Sequence, residues 1–391
     1  MMKKVGILAL ASAASAHTLF TTLFVDGKNQ GDGTCVRMPH DSSTATGPVY
    51  PITGDDMACG RDGHKAVAFT CPVPHNATLT FEFRMFPDAS RPGVIAPEHK
   101  GPCSVYLKRV DDMYSSSADN GAAGHGWFKI WEDGYSAASG TWCVDRLIDR
   151  KGLLSVHLPA GLPAGYYLAR PEILALHNAA SGDPQFYTGC AQIYVLQGPE
   201  GALRIPDGLG VSIPGHVSAD TPGLKFNLYG KAPPVKYPIP GPRVYMPPAR
   251  RLATNQVGHV RGSVPKDCLI KNANWCAKAV PAYSTEAGCW ASVKRCYSQS
   301  QACWDSAPPT GDVNCKLWQA YCKELEKQCG GGGSGNIVGP VEFKAKETMA
   351  AVPGEIPEPW NGDALAAAAT TAAATTKTKT EAGPGAEETG E

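Results

Sequence analysis

The chain has 391 residues, and its 36 Lys and Arg residues are balanced by 36 Asp and Glu residues. This length allows more than one domain, and a balanced charge gives no overall field that would attract nucleic acid or a membrane surface. The 14 cysteines, an even number, are typical of a disulfide-bonded secreted protein. We therefore expect an exported protein with neither a nucleic-acid nor a membrane partner.

The first sixteen residues have the features of a secretion signal. Lys3 and Lys4 give a positive start, residues 5–11 form a short apolar stretch, and residues 14–16 (ASA) form a small-residue cleavage site. The apolar stretch is too short to span a bilayer. Cleavage after Ala16 would make His17 the first residue of a secreted, extracellular protein.

Residues 17–245 are predicted to form one β-rich domain. Apolar and polar side chains alternate over residues 79–85, the period of a half-buried strand, and residues 105–107 and 193–196 are further strand candidates. Because turn-forming residues separate these stretches, we expect a mainly β fold, an immunoglobulin- or fibronectin-like antiparallel sandwich. Asn76 begins the one N-glycosylation sequon and is a candidate glycosylation site.

Residues 246–267 are predicted to be a basic, proline-rich linker, and residues 268–329 a cysteine-rich module. Six of its eight cysteines form two trios with a spacing of seven, namely Cys289, Cys296 and Cys303, then Cys315, Cys322 and Cys329. Seven residues is almost two helical turns, so each trio lies on one face of a helix. Two antiparallel helices would pair the trios in reverse order, 303 with 315, 296 with 322, and 289 with 329. A structural metal is the alternative, which export disfavours.

Three aromatic residues form a second stripe on the first of these helices. Trp290, Tyr297 and Trp304 each follow a cysteine of the first trio, so successive rings stand roughly 10.5 Å apart. That spacing is close to the two-sugar repeat of a β-1,4 glycan, which gives the hypothesis of a small carbohydrate-binding module. The alternative is that the rings pack within a domain too small to spare apolar groups. Residues 330–391 are rich in Ala and Thr and are predicted to be a disordered tail.

A histidine at the start of a mature chain can chelate a metal through its amine and its ring Nδ1. With one further imidazole it provides three nitrogen ligands, a set that suits Cu(II). Taken alone, His17 after the cleavage site could equally be a coincidence. The order of motifs that follow decides between the two interpretations.

Those motifs run from His17 to Tyr245. They are HKGP at 99–102, WFKIWE at 127–132, ALH at 175–177, QFYTGCAQ at 185–192, PGL at 222–224 and IPGP at 239–242. Together they resemble the auxiliary activity family 9 lytic polysaccharide monooxygenases, fungal copper enzymes that oxidise glycans. One departure is Arg170-Pro171-Glu172, where the family often has R-H-E. Since proline lacks a backbone donor, the strand ladder is expected to be disturbed there.

The resemblance implies one copper ion per chain, bound by the His17 amine and Nδ1 and by Nε2 of His99. Tyr187 takes the axial position as a weak contact. His177 and Gln185 are implied to be catalytic residues that hydrogen-bond the oxygen co-substrate.

The resemblance also implies a disulfide between Cys59 and Cys190, and leaves Cys35, Cys71, Cys103 and Cys143 unassigned. Tyr245 is by position the candidate for substrate binding, as an aromatic platform for the glycan. Packing of Tyr245 against the sandwich edge is the alternative.

The implied reaction is oxidation of a β-1,4 glycan at C1 or C4 with O2 or H2O2 as co-substrate. Electrons come from an external donor, a small reductant or a cellobiose dehydrogenase-like protein. Cellulose is the expected insoluble substrate, with hemicellulose or chitin as alternatives, and the enzyme is expected to be a monomer. Competing interpretations are a non-catalytic polysaccharide-binding protein and a copper-binding protein without glycan activity. A hydrolase is disfavoured because no pair of carboxylates has a recognisable setting.

Overall fold

The computed structural model describes residues 17–114, 121–230, 236–253, 260–331 and 337–360. Its strands are β1 (Leu19–Val25), β2 (Lys28–Asn29), β3 (Val36–Arg37), β4 (Cys71–Val73), β5 (Thr78–Arg84), β6 (Cys103–Val110), β7 (Gly124–Asp133), β8 (Tyr135–Ser136), β9 (Thr141–Trp142), β10 (Leu153–His157), β11 (Gly165–Ala175), β12 (Gln185–Thr188), β13 (Cys190–Val195), β14 (Gly210–Ile213), β15 (Ile270–Asn272) and β16 (Trp275–Ala277). Its α-helices are α1 (Asp56–Cys59), α2 (Cys143–Asp149), α3 (Glu286–Ser306) and α4 (Val313–Gly330), and Ala179–Ser181 forms a 3-10 turn.

The predicted β-sandwich is confirmed. One sheet has the strand order β10-β5-β1-β2, and the larger one β14-β7-β6-β11-β13-β3, with β12 paired to β11 and β4 to β13. Inward side chains of both sheets, such as Phe20, Phe81 and Ile193, form the main core. Pro171 does not interrupt β11, where it lies opposite Val105 of β6.

The alternation in residues 79–85 predicts one exposed face for β5, and this expectation is wrong. Glu82 and Arg84 are buried, and Arg84 forms ion pairs with Glu82 at 2.6 Å and with Asp32 at 2.9 Å. The physical reason is that residues 350–353 lie against this face. The backbone N–H of Ala350 donates to Asp32, and the two residues that follow at 351 and 353 line a cavity with Glu82 and Arg84.

The disulfide implied between Cys59 and Cys190 is present. The four unassigned cysteines pair as Cys35 with Cys71 and Cys103 with Cys143. In the module, the register argument is confirmed for all three pairs, 289 with 329, 296 with 322, and 303 with 315. The fourth bond joins Cys268 to Cys276 across the β15–β16 hairpin, and Trp318 fills the core beneath α3.

The helical module contacts the sandwich directly. The side chain of Asn274 donates to the carbonyl of Gly33 at 2.8 Å and accepts from the N–H of Cys35 at 3.0 Å, and Lys271 donates to the carbonyl of Gln30 at 2.9 Å. The expected linker also lies on the sandwich, where the N–H of Ala253 donates to the carbonyl of Gly198. Within the described residues, no helix is long and apolar enough to cross a membrane.

The start of the expected disordered tail differs from the prediction, because residues 337–360 pack against the folded parts. The indole of Trp360 contacts Trp131 edge-on at 5.1 Å and donates to Asp133 at 2.8 Å. Nearer the module, the N–H of Thr348 donates to Asn314 at 2.9 Å. These contacts require specific aromatic and polar partners, which average composition does not reveal. The rest of the expected tail, 361–391, lies outside the described residues.

Candidate functional site

Close backbone packing brings together the loops that carry His99 and His177. The N–H of Leu176 donates to the carbonyl of Lys100, and that of Leu174 to the carbonyl of Pro102. Between them, a Cβ on Gly101 would overlap the carbonyl oxygen of Leu174. Glycine in the HKGP motif is therefore required for this approach, and it places the His99 ring 4.0 Å from the ring of His177, centroid to centroid.

His17, directly before β1, completes the cluster with Tyr187 from β12. The ring centroids of His17 and His99 are 6.5 Å apart, those of His17 and Tyr187 6.2 Å, and those of His99 and Tyr187 6.1 Å. His99 and Tyr187 are buried, and His17 and His177 are partly exposed. All of the residues predicted to surround the copper thus come to one edge of the sandwich.

Gln185 stands two residues before Tyr187 on β12. The Tyr187 hydroxyl donates to Oε1 of Gln185 at 2.7 Å, and Nε2 of Gln185 donates to Asp183 at 3.0 Å. Sequence reasoning missed Asp183 and its second donor, the hydroxyl of Tyr50. Tyr50 is more than 120 positions away in the chain, so no local pattern could connect the two.

Burial keeps the imidazoles neutral. It lowers the pKa of His99 to about 4, with a further contribution from His177, and it also lowers the pKa of His17 and of His177. Neutral imidazole is the form that binds metals. Burial also raises the pKa of Tyr187 well above its usual range, so this phenol keeps its proton.

The donor atoms fit a copper ion. The imidazoles of His17 and His99 stand with their ring centroids 6.5 Å apart, and burial lowers the pKa of both, so each offers a neutral ring nitrogen to one ion. No three His, Cys, Asp or Glu side chains cluster in a metal-binding arrangement in the described parts of the chain. The amine of a mature chain that starts at His17 would add a third nitrogen to the two imidazoles, and such a donor set suits copper.

Tyr245 is not part of this cluster. Its ring packs edge-on against Phe128 at 6.2 Å, and its hydroxyl donates to the carbonyl of Arg204 at 3.1 Å. These contacts favour the alternative interpretation, packing against the sandwich edge. Asn76, by contrast, is exposed in the turn before β5, where a glycan would be accommodated.

Two other tyrosines, Tyr229 and Tyr50, lie near the residues of this cluster and are exposed. Tyr229, 71% exposed, lines a cleft of about 620 Å³ together with Glu98 and Lys100, the neighbours of His99. Tyr50 is 50% exposed and is held by Asp183. Their only sequence signal is a tyrosine in a loop, which does not separate them from the other tyrosines of the chain.

Comparisons with known proteins identify the family of the chain. The model of Auxiliary Activity family 9 (formerly GH61) matches residues 17–237. The chain is 47% identical to an AA9 family lytic polysaccharide monooxygenase C from Aspergillus tamarii, over 87% of this chain and 91% of that protein. It is 44% identical to an AA9 family lytic polysaccharide monooxygenase H from Botryotinia fuckeliana, over 86% of this chain and 78% of that protein.

A solved structure titled CvAA9A is 30% identical, with a TM-score of 0.51, and its alignment covers 60% of this chain and all of that one. The enzymes of this family are secreted by fungi, depend on copper and an external reductant, and use O2 or H2O2 as co-substrate. The chain belongs to Auxiliary Activity family 9 and is a copper-dependent polysaccharide monooxygenase.

Proposed function

We propose that this enzyme is secreted after cleavage behind Ala16 and oxidises insoluble β-1,4 glycans, with cellulose as the first substrate, at C1 or C4. The observation that carries the proposal is the convergence of His17, His99 and Tyr187, with all ring centroids within 6.5 Å of one another. It acts as a monomer, and a small reductant or a cellobiose dehydrogenase-like protein provides its electrons.

Each residue at the site has a separate task. His17 would hold copper through its amine and ring, His99 would add the second imidazole, and Tyr187 would contribute a neutral phenol beside them. His177, whose ring centroid lies 4.0 Å from that of His99, and Gln185 would hydrogen-bond the oxygen co-substrate and hold its protons. Bound copper supplies the activation of O2 or H2O2 that hydroxylation of a glycan carbon requires.

The two exposed tyrosines are the candidates for substrate binding. Tyr229 lines a cleft with the two neighbours of His99, and Tyr50 is hydrogen-bonded to Asp183. Sugar rings pack well on exposed aromatic surfaces of this kind. We therefore assign substrate binding to Tyr229 and Tyr50 in place of Tyr245, whose ring packs on Phe128.

The test uses the secreted protein with its N-terminal sequence verified and with copper loaded. The enzyme is incubated with ascorbate and, in separate reactions, with cellulose, xyloglucan, xylan or chitin, and the products are analysed by mass spectrometry. We expect oxidised oligosaccharides to be released from cellulose. The absence of oxidised products from all four glycans would contradict the proposal and favour a non-catalytic binding protein.

Tyr229→Ala and Tyr245→Ala form a matched pair of variants for the binding surface. Loss of one stacked ring at about 1 kcal/mol should weaken retention of Tyr229→Ala on cellulose about fivefold. Tyr245→Ala should retain wild-type binding and lose folding stability instead. The reverse pattern would restore the substrate role to Tyr245.

A further inference from the structure

The loop between β11 and β12 brings a carboxylate next to the copper site. Gly182, at φ +83°, closes a turn in which the N–H of Asp183 donates to the carbonyl of Asn178 at 3.2 Å. In this position the Asp183 side chain accepts hydrogen bonds from Nδ2 of Asn178 at 3.3 Å, from Nε2 of Gln185 at 3.0 Å and from the hydroxyl of Tyr50. Three donors surround one half-buried carboxylate, so the group is anchored from three directions.

This arrangement determines which way the Gln185 amide points. The amide has a donor end and an acceptor end, and only the donor end is compatible with a carboxylate. A flipped amide would place Oε1 against the Asp183 oxygens and would lose the charge-assisted hydrogen bond. Asp183 therefore fixes Oε1 of Gln185 on the opposite side, where it accepts from Tyr187.

The orientation of Gln185 in turn determines where the Tyr187 proton lies. A phenol has one O–H donor and lone pairs that accept. Because the proton of Tyr187 is directed at Gln185 at 2.7 Å, only lone pairs remain for the direction of the histidines. A flipped amide would offer Tyr187 an N–H, and the phenol proton would then be free to turn toward the metal.

We propose that Asp183 is a positioning residue, which acts through Gln185 to present a lone pair of Tyr187, and not its proton, to the copper ion. The inference rests on the copper site proposed above. Tyr50 takes part as a donor that holds the carboxylate in place from the exposed face. Asp183 itself touches neither the metal nor the substrate.

The test compares Asp183→Asn with wild type in the full-length protein. Asparagine has the same shape but presents both a donor and an acceptor, so both amide orientations of Gln185 become possible. In the metal-free protein, the Gln185 side-chain amide protons, assigned by their absence in Gln185→Glu, should exchange with solvent about tenfold faster, as expected for the loss of one hydrogen bond to a charged acceptor. In the copper-loaded protein, the paramagnetic resonance spectrum should change while copper remains bound, because the substitution removes no ligand.

The matched control is Asp26→Asn at the far end of β1, where the carboxylate accepts from the N–H of Thr78 at 2.8 Å. It should alter neither the Gln185 amide nor the spectrum. An Asp183→Asn variant that is unchanged in both readouts would overturn the inference. If that variant fails to fold, Tyr50→Phe replaces it, because this change keeps the carboxylate and removes one of its donors. We expect smaller changes in the amide exchange rate and in the spectrum. The absence of both changes would also refute the role of Asp183.

The two readouts separate this inference from the proposed function. If wild type itself binds no copper at His17, the copper site is refuted for every variant, and the role of Asp183 toward copper falls with it. The amide exchange needs no metal and still reports whether Asp183 holds Gln185. A normal wild-type spectrum with an unchanged Asp183→Asn spectrum refutes only the inference.

Discussion

Replacing Glu172 by Gln should produce a loss of stability that disappears in acid. Glu172 and Arg170 are both buried in β11, with Nη1 of Arg170 at 2.7 Å from Oε2 of Glu172. The guanidinium also donates to the carbonyls of Met57 and Ala58, each at 2.8 Å. Glutamine keeps the shape of the side chain and removes its charge, which leaves Arg170 as a buried cation without its counterion.

The magnitude follows from the pKa of Glu172. Burial alone would raise this pKa, but Arg170 and His216 lower it from 4.5 to about 2. Since a tenfold change in an equilibrium corresponds to about 1.4 kcal/mol, the ionised carboxylate contributes about 3 kcal/mol at pH 7. A depressed folded-state pKa gives stability that is fully present above the unfolded value. It is lost as the pH falls from about 4.5 to about 2.

The measurement is urea unfolding of the copper-free wild type and Glu172→Gln, followed by tryptophan fluorescence from pH 7 to pH 2. The wild type should be more stable by about 3 kcal/mol at pH 7 and by about half of that near pH 3, with the two proteins converging at pH 2. Burial lowers the pKa of folded His216 and Glu172 raises it, so both proteins are compared with His216 replaced by Asn, which removes the contribution of this histidine. A difference between the two proteins that is independent of pH would refute the reasoning.

Three further predictions concern the site and the C-terminal region. His177→Ala and Gln185→Ala should bind copper nearly normally by calorimetry and lose most oxidative activity; unchanged product yield in both would contradict their roles. Trp290 belongs to the aromatic stripe and is 41% exposed on α3. Trp290→Ala should lower retention of the full chain on cellulose or chitin, whereas Val313→Ala on α4 should not. Equal retention of the two variants and wild type would favour the packing alternative. Trp360→Ala should lower the free energy of unfolding by about 2 kcal/mol through loss of its contacts with Trp131 and Asp133, and an unchanged value would mean that this segment is not held to the sandwich.

The sequence could predict the features that depend on local period and chain order. Seven-residue spacing alone predicted the pairing of Cys289 with Cys329 and of the two nested pairs, because a helix face is a local property. The resemblance to the family, carried by the ordered motifs, implied that His17, His99 and Tyr187 share one site, and their rings lie together.

Features set by long-range packing could not be predicted in this way. The aromatic stripe illustrates the limit: Trp290 is exposed, but Tyr297 is half-buried and its hydroxyl donates to Glu326 at 2.6 Å. The carboxylate of Asp183 is held partly by Tyr50, more than a hundred residues earlier, and Glu82 lines a cavity together with Ala351 and Pro353. In each case the partner lies far away in sequence, so the local pattern carries no trace of it.

The central claim is that the amine of His17 is a copper ligand, and adding one alanine before His17 tests it most directly. The extension leaves every side chain in place and moves the amine away from the imidazole. We predict that copper affinity falls by more than about a hundredfold and that the paramagnetic resonance spectrum changes. The extension breaks the chelate itself, whereas loss of an outer partner of a metal ligand costs about 10- to 100-fold in affinity or activity. An extended protein that binds copper as tightly as wild type, with the same spectrum, would contradict the account.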